Sequence, residues 1–247
     1  MPATVDPHET REVLIESEGP RLFGDLIVPS GASGIVIFAD GSGSSRINPR
    51  NRRVAEQLRL GGRLGTLLLD LLTPEEELEE IRTQHHRFDI ELLSERVKSA
   101  TDWLLRRPEA MGIPLCYLGA STGAAAALVA AAQRPRAVAA VVSRGGRPDL
   151  AGEWLGHVRT PTLLLVGGDD IEVMRLNQQA LQQMPGGTAK QLVSVPGASH
   201  LFEEPGALDL VARHAEEWFT VHLAPSVAPA IATGAASDAA PTRGSSS

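Results

Sequence analysis

Leu115-Cys116-Tyr117-Leu118 runs straight into Gly119-Ala120-Ser121-Thr122-Gly123, and four alanines and Leu128 follow without a break. An apolar run of that length suits a strand buried within a sheet, and the alanine-rich run suits a helix packed closely on it. Gly-x-Ser-x-Gly between two such elements predicts a sharp strand–turn–helix with the serine at its apex. Gly119 and Gly123 lack a Cβ, so the two backbones can approach closely, while Ser121 takes a strained conformation that exposes its Oγ. Ser121 would then stand at a helix N-terminus, where unpaired N–H groups favour negative charge developing nearby. This is the pattern of a nucleophile elbow. The plainer alternative is a glycine-rich turn whose serine only caps a helix.

The rest of the chain alternates strand and helix around that stretch. Val13–Glu16 and Leu22–Val28 read as an antiparallel edge hairpin, and Gly34–Ala39 as a buried strand entering Asp40-Gly41-Ser42-Gly43-Ser44-Ser45. Val54, Leu58 and Leu60 mark a helix ending at Gly61-Gly62, and Gly65–Asp70 is another strand. The acidic stretch from Leu71 to Arg87 reads as a long polar connection, a solvated face with part of it a candidate lid at the border of the site. Ile90, Leu93, Val97, Ala100 and Leu104 recur with helical spacing before Pro108. Beyond the elbow come strands at Ala137–Val142, Thr162–Val166 and Gln191–Val195. A helix around Val173–Gln183 and a last amphipathic helix at Ala207–Leu223 complete the pattern. The expected fold is α/β: a doubly wound, mainly parallel sheet with helices on both faces and an N-terminal antiparallel edge hairpin.

Residues 1–10 are expected to fray, 11–223 to form the α/β domain, and the Ala/Pro/Ser-rich residues 224–247 to be a disordered tail. Among 247 residues the formal charge is −7 with dispersed basic residues, which argues against a nucleic-acid partner. No stretch reaches the roughly eighteen apolar residues of a membrane span, and no signal-peptide core is present, so the expectation is a cytoplasmic protein with no membrane partner. The one cysteine, Cys116, sits inside the elbow strand and reads as a buried core residue.

A serine hydroxyl needs a base, and the base needs an acid to orient it. Around a serine elbow in a fold of this kind these follow in the order Ser, Asp or Glu, His, at strand ends. Here Gly167-Gly168-Asp169-Asp170 follows one strand and Pro196-Gly197-Ala198-Ser199-His200 the next. The candidate catalytic set is Ser121, Asp170 and His200, with Asp169 the rival acid and whichever aspartate is left over serving as a loop or capping residue. The candidate oxyanion donors are the backbone N–H groups of Thr122 and Ser42. Asp70 reads as structural. His8, His85, His86, His157, His214 and His222 read as surface groups. The loop Gly41–Ser45 lacks the spacing of a phosphate cradle, and no His-Glu-x-x-His or paired-cysteine motif is present, so neither a cofactor nor a metal is expected.

Taken together, Gly119–Gly123, Gly167–Asp170, Gly197–Phe202 and Val142-Ser143-Arg144-Gly145-Gly146-Arg147-Pro148-Asp149-Leu150 resemble the dienelactone hydrolase-like branch of the α/β-hydrolases, over about residues 12 to 223. The resemblance implies a serine hydrolase of small esters or lactones that works through an acyl-enzyme without cofactor. Two departures stand out. Dienelactone hydrolases proper carry a cysteine nucleophile, whereas this chain has Ser121. Similar sequences also carry histidine where this one has Asp40, a carboxylate that must turn away from the oxyanion or pair with a cation such as Arg46 or Arg50. The alternatives are a binding or scaffold protein of the same fold, or a peptidase or thioesterase using the same three residues. Arg144 and Arg147 read as surface or structural groups sooner than as contacts to a substrate carboxylate.

Overall fold

A computed structural model describes residues 10–16, 19–41 and 45–223. The expected frayed N-terminus, apart from Thr10, and the expected tail from residue 224 lie outside the described residues.

Eight strands form one sheet in the order β1-β2-β4-β3-β5-β6-β7-β8. They are β1 (Arg11–Ile15), β2 (Leu22–Ile27), β3 (Gly34–Asp40), β4 (Leu64–Leu69), β5 (Leu115–Ala120), β6 (Val138–Arg144), β7 (Thr162–Gly167) and β8 (Lys190–Val195). The β1–β2 and β2–β4 pairings are antiparallel, and every pairing from β4 to β8 is parallel. The continuous apolar runs have the cause expected of them. Strands β3, β4, β5 and β7 are buried along their whole length, because helices cover both sides and alternation is not required.

Alternate residues supply two cores. Ile35, Ile37, Leu67 and Tyr117 face α3 (Ile90–Leu105) and α4 (Thr122–Gln133). Val36, Phe38, Leu118 and Val142 face α1 (Pro49–Gly62) and α6 (Ala207–Leu223). Cys116 belongs to the second core, where burial pushes its thiol pKa up to about 12. Helix α5 (Ile171–Gln183) follows β7.

Two expectations need correction. The stretch from 71 to 87 is not a structureless connection but carries helix α2 (Pro74–Thr83). Thr73 Oγ1 accepts from the Glu76 N–H at 3.2 Å and Glu76 Oε2 accepts from the Thr73 N–H at 2.8 Å, a reciprocal cap with Pro74 at the first position. Three of the glutamates stand in its first turn, where the helix dipole favours negative charge. Strand β6 also runs two residues further than expected, to Arg144, which places Arg144 beside Ala120 of β5.

Among the described residues, no helix is long and apolar enough to cross a membrane.

Candidate active site

Ser121 joins β5 to α4 with no intervening loop. Its backbone has φ 51° and ψ −126°, a strained conformation for a residue with a side chain. The turn is held by its own carbonyl, which accepts from the N–H groups of Ala124 at 3.2 Å and Arg147 at 3.0 Å. Its tightness comes from Gly119: a Cβ there would lie 2.4 Å from Ala124 Cα. The chain leaving β3 lies equally close to the elbow, for a Cβ on Gly41 would fall 1.6 Å from Thr122 Oγ1. Thr122, the first candidate oxyanion donor, therefore opens α4 directly against the start of the β3 loop. Ser42, the second, lies outside the described residues, as do Gly43 and Ser44.

Asp170 and His200 come from the ends of β7 and β8. Asp170 Oδ2 lies 2.6 Å from His200 Nδ1. An ionised aspartate carboxylate only accepts, so Nδ1 carries the proton, and in the neutral imidazole Nε2 is the acceptor. The two loops are knitted together by backbone bonds, Gly168 N–H to the Val195 carbonyl at 2.8 Å and Asp169 N–H to the Ala198 carbonyl at 3.0 Å. Asp169 turns its side chain to solvent. Asp169 is thus the loop residue of the two, and the helix cap comes from the aspartate that meets the histidine. Asp170 does both, because its other oxygen, Oδ1, accepts from the Val173 N–H at 3.4 Å as the N-cap of α5.

Ser121 and His200 line one cavity of about 110 Å³, with Asp40, Arg50, Ala120 and Arg144 around them. None of the five other described histidines lines it. In strand register Asp40, Ala120 and Arg144 stand side by side on β3, β5 and β6, so the small alanine separates two charged neighbours.

Asp40 pairs differently from expectation. Arg46 is engaged by Asp70 (3.1 Å), Asp25 (3.1 Å) and Glu12 (2.7 Å), and Arg50 by Glu203 (3.3 Å). Asp40 Oδ2 instead accepts from the side-chain amides of Asn48 at 3.2 Å and Asn51 at 3.1 Å, both at the start of α1. Asn51 in turn accepts from Arg144 Nη2 at 2.9 Å, closing a buried relay from Asp40 through Asn51 to Arg144. Burial pushes the Arg144 guanidinium below its ordinary value, and Asp40 opposes that fall. Asn48 and Asn51 are residues that sequence reading missed. Their signal was the Asn-Pro-x-Asn start of a helix directly after the glycine-rich loop. Arg147 makes a two-pronged pair with Asp149 (2.9 and 2.8 Å) and is a structural group, and so is Asp70, through its bonds to Arg46.

No protein-family model matches the chain. Two curated relatives named putative phosphoribosyl transferases, from the CDC 1551 and H37Rv strains of Mycobacterium tuberculosis, are 54% identical over 222 residues. That match takes in 90% of this chain and 48% of each relative, so the chain spans about half the length of the curated relatives it matches. The solved structure of Est1E from Butyrivibrio proteoclasticus superposes with a TM-score of 0.69 over 87% of this chain and 99% of that one. At 16% identity it shows the fold alone. A dienelactone hydrolase from Anabaena variabilis is 56% identical with a TM-score of 0.82, covering 87% of this chain and 99% of that one. At that identity and coverage, the chain belongs to the dienelactone hydrolase family of the α/β-hydrolase fold.

Proposed function

We propose that the protein is a serine hydrolase that cleaves a small carboxylic ester or lactone. Ser121 Oγ attacks the carbonyl carbon while His200 Nε2 accepts its proton, and Asp170 orients and stabilises the imidazolium. The oxyanion is held by the backbone N–H groups of Thr122 and Ser42. Collapse of the tetrahedral intermediate breaks the C–O bond, and His200 returns its proton to the leaving alkoxide. Water then attacks the acyl-enzyme by the same route, releasing the acid and restoring Ser121.

The observation that carries this reading is the 2.6 Å bond from His200 Nδ1 to Asp170, made by a histidine that shares a cavity with a serine held at φ 51°. The pairing of Asp40 with two amides favours an active enzyme over a scaffold, since its Oδ2 is bonded to the start of α1. The phosphoribosyl transferase name is not carried over, because about half of each of those relatives lies outside the match.

A fluorophosphonate probe tests the reading. Labelling of the native protein that is lost in Ser121→Ala supports it, together with a fall in ester hydrolysis of about a million-fold. A folded protein that never labels, or one that labels equally in Ser121→Ala, overturns it. A panel of p-nitrophenyl esters of increasing acyl length, beside a few lactones, then places the substrate.

A further inference from the structure

Helix α2 is packed inside out. Its carboxylates Glu76 and Glu80 turn toward the protein, Glu76 onto Arg96 at 2.9 Å and Glu80 onto Arg87. None of its three apolar residues is buried: Leu78 is 66% exposed, Ile81 is 76% exposed, and Pro74 is exposed in the first turn. Spaced four and three residues apart, these three form one stripe along the outer face. A surface helix ordinarily turns such a stripe to the core, and an apolar stripe left in water marks a surface that another molecule covers. Pro74 also lines a cleft of about 560 Å³ beside the β1–β2 hairpin, with Val13, Leu14 and Phe23, so the apolar surface continues past the start of the helix.

The charges beside the stripe say what covers it. Glu75 stands in the first turn and Arg82 in the last, both exposed and both on the same side of the stripe. They are about 10.5 Å apart along the axis, too far to pair with each other, and no ion pair among the described residues engages either. A second copy of α2 laid antiparallel on the first answers both. Leu78 then meets the partner's Leu78, Pro74 meets the partner's Ile81, and Glu75 meets the partner's Arg82. All three pairings are available at once, because the midpoints of 74 and 81 and of 75 and 82 each lie half a residue from 78. Two-fold symmetry makes the Glu75–Arg82 contact twice. A parallel pair would instead set Glu75 beside Glu75 and Arg82 beside Arg82. The helix dipoles favour the antiparallel arrangement too, each acidic first turn lying against a basic last turn.

We infer that the outer face of α2 is the contact surface of an antiparallel homodimer, with Leu78 at its two-fold axis and a Glu75–Arg82 pair between the copies on either side. The stripe is narrow, so the dimer belongs to the small, readily dissociating class of interfaces. The surface is separate from the cavity that Ser121 and His200 line, and the inference does not depend on the hydrolase reading.

Sedimentation velocity from about 1 µM to about 1 mM protein tests it, the range above the dissociation constants of standard-sized interfaces. The native protein should pass from monomer to dimer across that range. Leu78→Glu, at an exposed position, should keep the fold and raise the dissociation constant at least about tenfold by placing two carboxylates at the axis. Glu75→Arg and Arg82→Glu should each weaken the dimer about tenfold, since each turns two ion pairs into like-charge contacts. Glu75→Arg with Arg82→Glu should return it to within about threefold of native, because opposite charges face each other again. A protein still monomeric at about 1 mM, a dimer that Leu78→Glu leaves unweakened, or charge reversals whose effects add overturn the inference.

A cross-link gives a second measurement that does not disturb the charges of α2. Leu78→Cys sits at the proposed axis, where the two copies approach closely enough for a disulfide. On mild oxidation with diamide it should form a covalent dimer, whereas Leu60→Cys, 71% exposed on α1, should not. The native Cys116 is buried and does not compete. Cross-linking that is absent in Leu78→Cys, or equal in the two variants, overturns the inference.

Discussion

The two strand-to-helix passages β5–α4 and β4–α2 are held by opposite means. Between β5 and α4 there is a single residue, Ser121, and backbones are pressed together until no Cβ fits at Gly119. Between β4 and α2 the chain takes four residues, Asp70 to Thr73, and α2 leaves Leu78 and Ile81 exposed. What fixes α2 is polar: the reciprocal Thr73–Glu76 cap, Arg96 on Glu76 at 2.9 Å, and Arg87 on Glu80. The two helices account for the contrast. Helix α4 is buried from Thr122 to Ala131, so steric fit is available, whereas α2 on the flank buries only Glu80 and brings little apolar surface to the core. A site that must hold reacting atoms to a fraction of an ångström belongs at the centre.

The largest effect expected at the centre is chemical and leaves the fold alone. Asp170→Asn keeps an oxygen to cap α5 but presents an amide that no longer fixes the proton on His200 Nδ1. It should lower kcat by about ten-thousand-fold, while Asp169→Asn, at an exposed position, changes kcat by no more than about threefold, as expected of a surface substitution. Steady-state hydrolysis by both variants settles the assignment. Equal losses would mean that the acid is not Asp170 alone.

Next in size is Gly119→Ala, which adds one methyl where Ala124 Cα stands 2.4 Å away. Overpacking against backbone should cost about 3 kcal/mol, the upper part of the range for such insertions. On the flank, Thr73→Ala removes one cap bond and should cost about 1 kcal/mol. Urea unfolding of the two variants puts the comparison on one scale. A Gly119→Ala variant no less stable than Thr73→Ala would show that the elbow is not held by fit.

Much of this was legible in the sequence because the centre of the sheet is written in local patterns. The strand before Ser121, the helix after it, and the loops carrying Asp170 and His200 all announce themselves by apolar runs meeting glycines. The flank was misread for a physical reason. Glu75, Glu76, Glu77, Glu79 and Glu80 look like a solvated run when charge alone is counted, yet Thr73-Pro74-Glu75-Glu76 is a cap written in spacing. The Asp40 relay was harder to foresee. Its members Asn51 and Arg144 are distant in sequence and meet only because β6 runs on to place Arg144 in register with Ala120. No local pattern encodes such a pairing.

The smallest effect expected is a dependence on pH confined to the flank. Burial alone pushes the Glu80 carboxyl up, but the guanidinium and N–H of Arg87 more than reverse this and hold it below the ordinary glutamate value. A carboxyl whose folded pKa is lowered gives up its proton more readily in the folded state. Its contribution to α2 is thus complete above about pH 4.3, the unperturbed value, and is lost as the pH falls through the lowered folded value. Amide hydrogen exchange, corrected for its intrinsic pH dependence, should show α2 losing protection as the pH falls from about 5 toward 1, the span over which a paired carboxylate's contribution is lost. Helix α4, which carries no titratable side chain, should stay protected over the same range. Glu80→Gln should flatten the α2 response and leave α4 as it was. If α2 kept its protection unchanged from about pH 5 down toward pH 1, the span over which a paired carboxylate's contribution is lost, the flank would be held by packing after all, and the contrast with the elbow would collapse.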